Sequence, residues 1–85
     1  MKEFKYVITD KEGIHARPAG ELIKVVKGFN STIKIAKDGK EADCKRMFAV
    51  MGLGVKNGQE VVFTFDGEDE DAAYEAVSKF MKENL

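Results

Sequence analysis

The chain of 85 residues is poor in the residue types that build disulfide bonds and metal sites. It contains one cysteine, one histidine, one proline and no tryptophan. Its single cysteine, Cys44, excludes an internal disulfide bond and a zinc site made of cysteine ligands. With one histidine, a metal site would need carboxylates for its remaining ligands, and no spacing of acidic residues suggests one. We therefore expect no metal and no cofactor.

Long apolar runs and an excess of one sign of charge are also missing. No apolar run approaches the roughly 18 residues that cross a membrane, and residues 1–6 lack the apolar core of a signal peptide. Fourteen basic and fifteen acidic residues leave a net charge of −1, which argues against a dedicated nucleic-acid-binding protein. These absences predict a cytoplasmic protein that neither inserts into a membrane nor binds nucleic acid.

The composition that remains is that of a folded globular domain. Hydrophobic residues make up 44% of the chain and charged residues 34%, and this apolar content argues against disorder. The length predicts a single domain over residues 1–85 with one modest core and no deep substrate pocket. We expect this domain to be a monomer.

The hydrophobic pattern predicts seven elements in the order β-α-β-β-α-β-α. The predicted strands are residues 4–9, 33–37, 40–44 and 61–65. One helix is predicted from Ala16 to about Gly28, and the acidic run 68–71 opens another, whereas residues 45–53 form a short helix or an apolar loop. Asp38-Gly39 predicts a hairpin turn. This order predicts an α+β fold, a two-layer open-faced β-sandwich in which three helices cover one face of a four-stranded, mostly antiparallel sheet.

The segment Gly13-Ile14-His15-Ala16-Arg17-Pro18-Ala19 holds the only histidine and the only proline. If Ala16 begins a helix, His15 takes the N-cap position, where free backbone N–H groups of the first turn favour an anion. The N–H groups of Ala16 and Arg17 and the guanidinium of Arg17 are then candidates to hold phosphate oxygens. A neutral imidazole is a nucleophile whose bond to phosphorus later breaks easily. The segment therefore suits the transfer of a phosphoryl group.

Other interpretations of His15 stay open from the residues alone. The side chain could cap the helix or lie inert on the surface. General acid–base catalysis has less support, because no second catalytic group lies near in the sequence and the chain is too short for a pocket. We expect a protein that is not a stand-alone enzyme. A regulatory binding module without obligatory phosphotransfer is the alternative to a carrier.

Residues 13–19 closely resemble the active-site motif of HPr, the histidine-containing phosphocarrier family of the bacterial phosphoenolpyruvate–sugar phosphotransferase system. A second similar stretch comprises Lys45, Val50-Met51, Leu53-Gly54-Val55 and Lys56-Asn57-Gly58. The resemblance runs the full length of the chain. It implies that His15 receives a phosphoryl group on Nδ1 from enzyme I, with assistance from Arg17, and passes it to sugar-specific IIA components.

The resemblance and the nearby cations and apolar residues also predict a docking surface for these partners. This docking surface comprises Gly20, Lys24, Lys27, Lys45, Arg46, Met47, Phe48, Ala49, Met51 and Gly52. In Gram-positive relatives a regulatory serine follows the lysine that aligns with Lys45. Here that position is Arg46, which has no hydroxyl group, so regulatory phosphorylation cannot occur there. Arg46 is either a solvated cation at a helix start or a charge that steers acidic partners.

Residues 48–49 depart from the family as well, since a smaller or more flexible residue followed by glycine is frequent there. Met47, Phe48 and Met51 either pack in the core or form an exposed apolar patch that binds several partners. Two further features have plain structural interpretations. Cys44 is expected to be a half-buried strand residue, and the acidic run 68–71 a solvated helix start.

Overall fold

The computed structural model describes residues 1–85 and contains four strands and three helices in the predicted order. The strands are β1 (Lys2–Val7), β2 (Thr32–Lys37), β3 (Lys40–Asp43) and β4 (Glu60–Asp66), and the helices are α1 (Ala16–Lys27), α2 (Met47–Gly52) and α3 (Glu70–Asn84). The strands form one sheet in the spatial order β1-β4-β2-β3, and each neighbouring pair is antiparallel. The predicted α+β open-faced sandwich is confirmed.

The two faces of the sheet differ in burial because apolar and polar residues alternate along the strands. On the central strand β4, Val61, Phe63 and Phe65 are fully buried. The register places Phe63 opposite Phe4 of β1 and Ile35 of β2. These side chains form the inner face, and polar side chains of the same strands remain on the open face.

Helices α1 and α3 cover the inner face with one apolar stripe each. The buried stripes are Ala19, Leu22, Ile23 and Val26 in α1 and Ala73, Val77, Phe80 and Met81 in α3. Helix α3 packs on β1 and β4, and α1 packs between α3 and α2. The stripes repeat every three or four residues, as a helix that buries one side requires. None of the three helices combines the length and the apolar character needed to cross a bilayer.

The turn between β2 and β3 is the one that the sequence predicts. Asp38 and Gly39 both have positive φ angles, of 51° and 81°. Two consecutive residues in that region are typical of the tight hairpin turn whose twist matches the strands that it joins. The turn therefore sets the register of β2 against β3.

Cys44 is more deeply buried than the sequence analysis expects. Strand β3 ends at Asp43, and Cys44 follows it with no exposed surface. Its backbone N–H donates to the carbonyl oxygen of Ile33 at 2.9 Å. Burial raises the pKa of the Cys44 thiol to about 12, with a smaller contribution from the charge of Asp43, because a thiolate is poorly solvated there.

Strand β1 also ends earlier than predicted, at Val7. Ile8 still bonds across to the 56–59 turn: its N–H donates to the Gln59 carbonyl at 3.0 Å, and its carbonyl accepts from Gly58 at 2.8 Å. Thr9 then turns toward the end of α3, where its hydroxyl donates to the Leu85 carbonyl at 2.8 Å. The shift follows from these contacts between distant parts of the chain.

Asp69 is the N-cap residue of α3, and its side chain bonds to another segment and not to the helix. The Asp69 carboxylate accepts hydrogen bonds from the backbone N–H groups of Asn30 at 2.8 Å and Ser31 at 2.9 Å, and from the Ser31 hydroxyl. The Ser31 side-chain bond is the largest cause that lowers the pKa of Asp69, followed by the bond from the Asn30 backbone. The expectation that the whole acidic run is merely solvated is therefore wrong for Asp69.

Candidate functional site

His15 lies at the N-cap of α1 in an extended conformation, and its carbonyl oxygen accepts the Ala19 N–H at 2.9 Å. Its side chain is one-third exposed and makes no capping hydrogen bond. The N–H groups of Ala16 and Arg17 have no acceptor within the protein. The interpretation in which the imidazole caps the helix is therefore wrong, and two backbone donors remain available for another group.

The loop before His15 is held against the segment that follows α2. The Ile14 N–H donates to the Val55 carbonyl oxygen at 3.1 Å. Gly13 has a φ of +70°, and a Cβ atom at this position would lie 2.3 Å from that same oxygen. Glycine is required at position 13 for both reasons, the backbone conformation and the close approach. This contact fixes the position of the loop, and therefore the position of His15 at the start of α1.

The other side of the loop is held by residues that the sequence analysis did not connect with His15. The Asp10 N–H donates to the Leu85 carbonyl oxygen at 2.9 Å. The Asn57 side-chain amide donates to the Thr9 carbonyl oxygen at 3.0 Å. The two residues of each pair are far apart in the sequence, and no local sequence pattern predicts these contacts. Two distant regions of the chain, the segment 55–57 and Leu85, thus position the histidine loop.

Two carboxylates flank the imidazole, one at each ring nitrogen. Asp10 Oδ1 lies 3.8 Å from His15 Nε2, and Glu12 Oε2 lies 3.5 Å from His15 Nδ1. Asp10 Oδ1 also accepts the Glu12 backbone N–H at 2.8 Å. No sequence pattern discussed above assigns these two acids to the site. Glu12 lies three residues before His15, so proximity in the sequence was the signal that could have found it. No three histidine, cysteine or acidic side chains are arranged to hold a metal ion.

Arg17 supplies the positive charge of the site. Its side chain is exposed and forms no ion pair with any acidic residue. The first turn of α1 contains no acidic residue, and its last turn carries Lys24 and Lys27. The guanidinium of Arg17 is therefore free to bind an anion close to the helix N-terminus.

The docking surface predicted above is distributed over α1, α2 and the link before α2. Its exposed members are Lys24, Lys27, Arg46, Phe48 and Gly52, and its half-buried members are Gly20, Lys45, Met47, Ala49 and Met51. Phe48 is 89% exposed, whereas Met47 and Met51 pack against the core. Of the apolar residues with two open interpretations, Phe48 alone is displayed to solvent.

Two cations of the docking surface, Lys24 and Lys27, lie at the opposite end of α1 from Arg17. Lys24 and Lys27 occupy the last turn of α1 and Arg17 its first turn, roughly 10–15 Å apart at 1.5 Å per residue. The Lys45 ammonium donates to the Phe29 carbonyl oxygen at 2.8 Å. Lys45 therefore joins the link before α2 to the end of α1, and its part in docking remains a prediction.

The open-faced sandwich with an uncapped histidine beside free backbone donors defines a class of protein, the histidine phosphocarrier domains. Comparison with known proteins agrees with this class. The family described as "PTS HPr component phosphorylation site" matches residues 2–83. The phosphocarrier protein HPr of Lysinibacillus sphaericus is 39% identical over 83 residues, covering 98% of this chain and 94% of the relative. That of Mycoplasma capricolum is 40% identical over 81 residues, covering 95% and 91%.

A solved structure supports the same assignment. The histidine-containing phosphocarrier protein of a mycoplasma superposes with a TM-score of 0.93 at 38% identity, over 96% of this chain and 93% of the other. The chain belongs to the HPr family and is a phosphocarrier of the phosphotransferase system.

Proposed function

We propose that His15 accepts a phosphoryl group on Nδ1 from phosphorylated enzyme I and passes it to sugar-specific IIA components. The observation that carries this proposal is the uncapped imidazole beside the unused N–H groups of Ala16 and Arg17. These two donors and the Arg17 guanidinium bind the oxygens of the phosphoryl group, because all three present N–H bonds to an anion.

The transfer conserves bonds and protons without a further reactant. The lone pair of Nδ1 attacks phosphorus, the bond from phosphorus to the donor atom breaks, and its electron pair stays with the donor. The His15 proton stays on Nε2 throughout. The second transfer, to the IIA component, is the same step in reverse with another acceptor. In this proposal the protein is a reactant in phosphotransferase reactions and not a stand-alone enzyme.

The proposed partners bind the docking surface around His15. Phe48 gives an apolar anchor there, and Arg46 and Arg17 give positive charge for acidic partners. Because position 46 holds arginine, the proposal includes no serine-based regulation at that residue, and the presence of His15 and Arg17 favours the carrier over the regulatory alternative. Monomeric state and cytoplasmic location remain predictions.

Phosphoryl transfer is tested by incubating the protein with phosphoenolpyruvate and enzyme I and measuring its intact mass. One added phosphoryl group that acid removes is expected, and it should be missing in His15→Ala. An Arg17→Ala variant should be phosphorylated more slowly, since one phosphate ligand is lost. No gain of mass with active enzyme I would falsify the proposal.

Truncation of Phe48 tests the docking surface. Phe48→Ala should weaken the binding of enzyme I by about 1 kcal/mol or more, as an aromatic anchor at an interface does. The free energy of unfolding should change by less than about 0.5 kcal/mol, because the ring is exposed. Calorimetric titration and urea unfolding measure the two quantities.

Val7→Ala is the matched control, since Val7 is an exposed apolar residue of β1, outside the docking surface. It should leave the binding of enzyme I unchanged. A large loss of stability in Phe48→Ala with unchanged affinity would assign the ring to the core instead.

A further inference from the structure

We infer that Glu12 and Asp10 act on the phosphorylated state of His15 in opposite directions: Glu12 destabilises it and Asp10 stabilises it. Both are positioning residues in the sense that they act on the imidazole and not on the donor. The inference rests on the proposed function, and in particular on phosphorylation at Nδ1.

The geometry assigns one carboxylate to each ring nitrogen. Glu12 Oε2 lies 3.5 Å from Nδ1 and Asp10 Oδ1 lies 3.8 Å from Nε2. No other acidic side chain pairs with the ring. A change at one ring nitrogen of His15 therefore affects mainly its interaction with the carboxylate beside that nitrogen. The contributions of Glu12 and Asp10 to the stability of the phosphorylated state can for this reason be measured separately.

On the Nδ1 side, the Glu12 carboxylate occupies the position that the phosphoryl group needs. A phosphoryl group cannot fit between Nδ1 and an oxygen 3.5 Å away, so the Glu12 side chain must move outward. That side chain is 74% exposed and can move, but its charge stays near a group with roughly two negative charges. Like charges repel, and Glu12 also loses its contact with the ring. Both effects favour the unphosphorylated state.

On the Nε2 side, the Asp10 carboxylate favours the phosphorylated state. Attack by Nδ1 requires the ring proton to reside on Nε2, and the ring gains positive charge as the new bond forms. A carboxylate beside Nε2 stabilises that proton and that charge. Asp10 is held in place by the Glu12 backbone N–H at 2.8 Å and is less exposed than Glu12, at 30%. It lies across the ring from the phosphoryl group, where repulsion is weaker.

The phosphotransfer equilibrium with enzyme I tests this inference. The full chain is mixed with catalytic enzyme I at a set ratio of phosphoenolpyruvate to pyruvate, and intact mass gives the ratio of phosphorylated to free protein. This ratio does not depend on docking, because a catalyst changes the rate and not the equilibrium. Glu12→Gln should raise the ratio about two- to fivefold and Asp10→Asn should lower it by a similar factor, the range expected for exposed charge pairs.

Three controls accompany these variants. Glu12→Asp keeps the charge and should stay closer to the wild-type ratio than Glu12→Gln does. Glu68→Gln removes an exposed charge before α3 and should leave the ratio unchanged. The effect of Glu12→Gln should also shrink in 0.5 M salt, at a screening length of roughly 4 Å.

The outcomes separate this inference from the proposed function. If the wild-type protein gains no phosphoryl group, the proposed function fails. If the wild type is phosphorylated and both variants match Glu68→Gln, this inference alone is wrong. The inference is also wrong if Glu12→Gln and Asp10→Asn shift the ratio of phosphorylated to free protein in the same direction. An exchange of the two signs overturns it as well, since the phosphoryl group would then lie at Nε2.

Discussion

At the scale of the residue, His15 lies between groups of opposite sign. The helix N-terminus and Arg17 attract an anion, whereas Asp10 and Glu12 lie within 4 Å of the imidazole. A carrier must give up the group that it accepts. A site with positive charge alone would hold a phosphoryl group too tightly for onward transfer. Glu12, the acid beside Nδ1, is physically consistent with such a transient bond.

Gly13 allows a prediction about how this histidine is positioned. Gly13→Ala should destabilise the protein by about 1–2 kcal/mol for the positive φ alone, and further because the new Cβ would overlap the Val55 carbonyl oxygen at 2.3 Å. Phosphorylation of His15 should slow as the loop moves. Urea unfolding and the rate of mass gain measure these effects.

Gly39→Ala is the control for Gly13→Ala. Gly39 has a φ of +81° with nothing within 4 Å of a built Cβ, so it has the conformational cost without the overlap. Its loss of stability should be the smaller of the two, and phosphorylation should be unaffected. Equal losses in both variants would mean that the contact with Val55 is unimportant.

Cys44 leads to a prediction about alkaline stability. Its thiol pKa is about 12 in the native protein and 9.0 ordinarily. Between these values the unfolded chain releases the proton and the native protein keeps it, so stability falls as pH rises from about 9 toward 12. The decline from this group approaches about 1.4 kcal/mol per pH unit.

Urea unfolding from pH 7 to pH 11 measures this decline. Cys44→Ala should be less stable at pH 7, because a buried side chain is shortened, yet should lose less stability on going to pH 11. Parallel curves for the two proteins would contradict the prediction. The native thiol should also resist thiol reagents, since the reactive form is the thiolate.

At the scale of the element, the periodic patterns predict the strands and helices well and their ends less well. The start of α1 at Ala16 follows from a local signal and is confirmed. Helix α3 starts at Glu70, and the Asp69 before it bonds to residues 30–31. Strand β1 ends at Val7 because Thr9 turns toward Leu85. Element ends that depend on distant partners could not be predicted from spacing.

The Asp69 contacts predict how acid affects the protein. The pKa of Asp69 lies below its ordinary value of 3.8, chiefly through the Ser31 hydroxyl. The stabilisation that it gives is complete above that ordinary value and is lost as pH falls through the lower native value. Asp69→Asn should therefore be less stable than wild type at pH 7, and the two unfolding curves should converge as pH falls below the lowered native pKa of Asp69.

Asp71→Asn is the control for Asp69→Asn. Asp71 is an exposed acid in the first turn of α3 that pairs with Lys2 at 3.2 Å. Its removal should have little effect on stability at pH 7, as is usual for an exposed ion pair. Thermal unfolding across pH 2–7 distinguishes the variants. A constant difference between Asp69→Asn and wild type over that range would show that its charge is unimportant.

At the scale of the whole molecule, the proposed phosphorylation site occupies one part of the surface. Helices cover the inner face of the sheet, and the histidine loop lies where α1 begins, beside the segment after α2. The net charge of −1 leaves no general attraction for acidic partners. Local cations must therefore supply any electrostatic guidance, which makes the individual arginines testable.

Arg46→Ser tests whether charge guides association. The variant should accept a phosphoryl group from enzyme I more slowly at low salt and show a weaker dependence of the rate on ionic strength, because steering is screened by salt. Lys34→Ser is the control, since Lys34 is an exposed cation of β2. If the transfer rate depends equally on ionic strength in Arg46→Ser and in wild type, Arg46 is a solvated cation that does not guide association.

The sequence by itself determined the element order and the two-layer fold, and it predicted His15 and Arg17 as site residues. It could do so because apolar periodicity, turn residues and a helix start are local signals. Only the tertiary structure decided which of the clustered apolar residues is exposed, that Lys45 and Asp69 bond internally, and that two carboxylates flank the imidazole. These features depend on contacts between distant segments or on the path of a loop, and neither has a periodic signature.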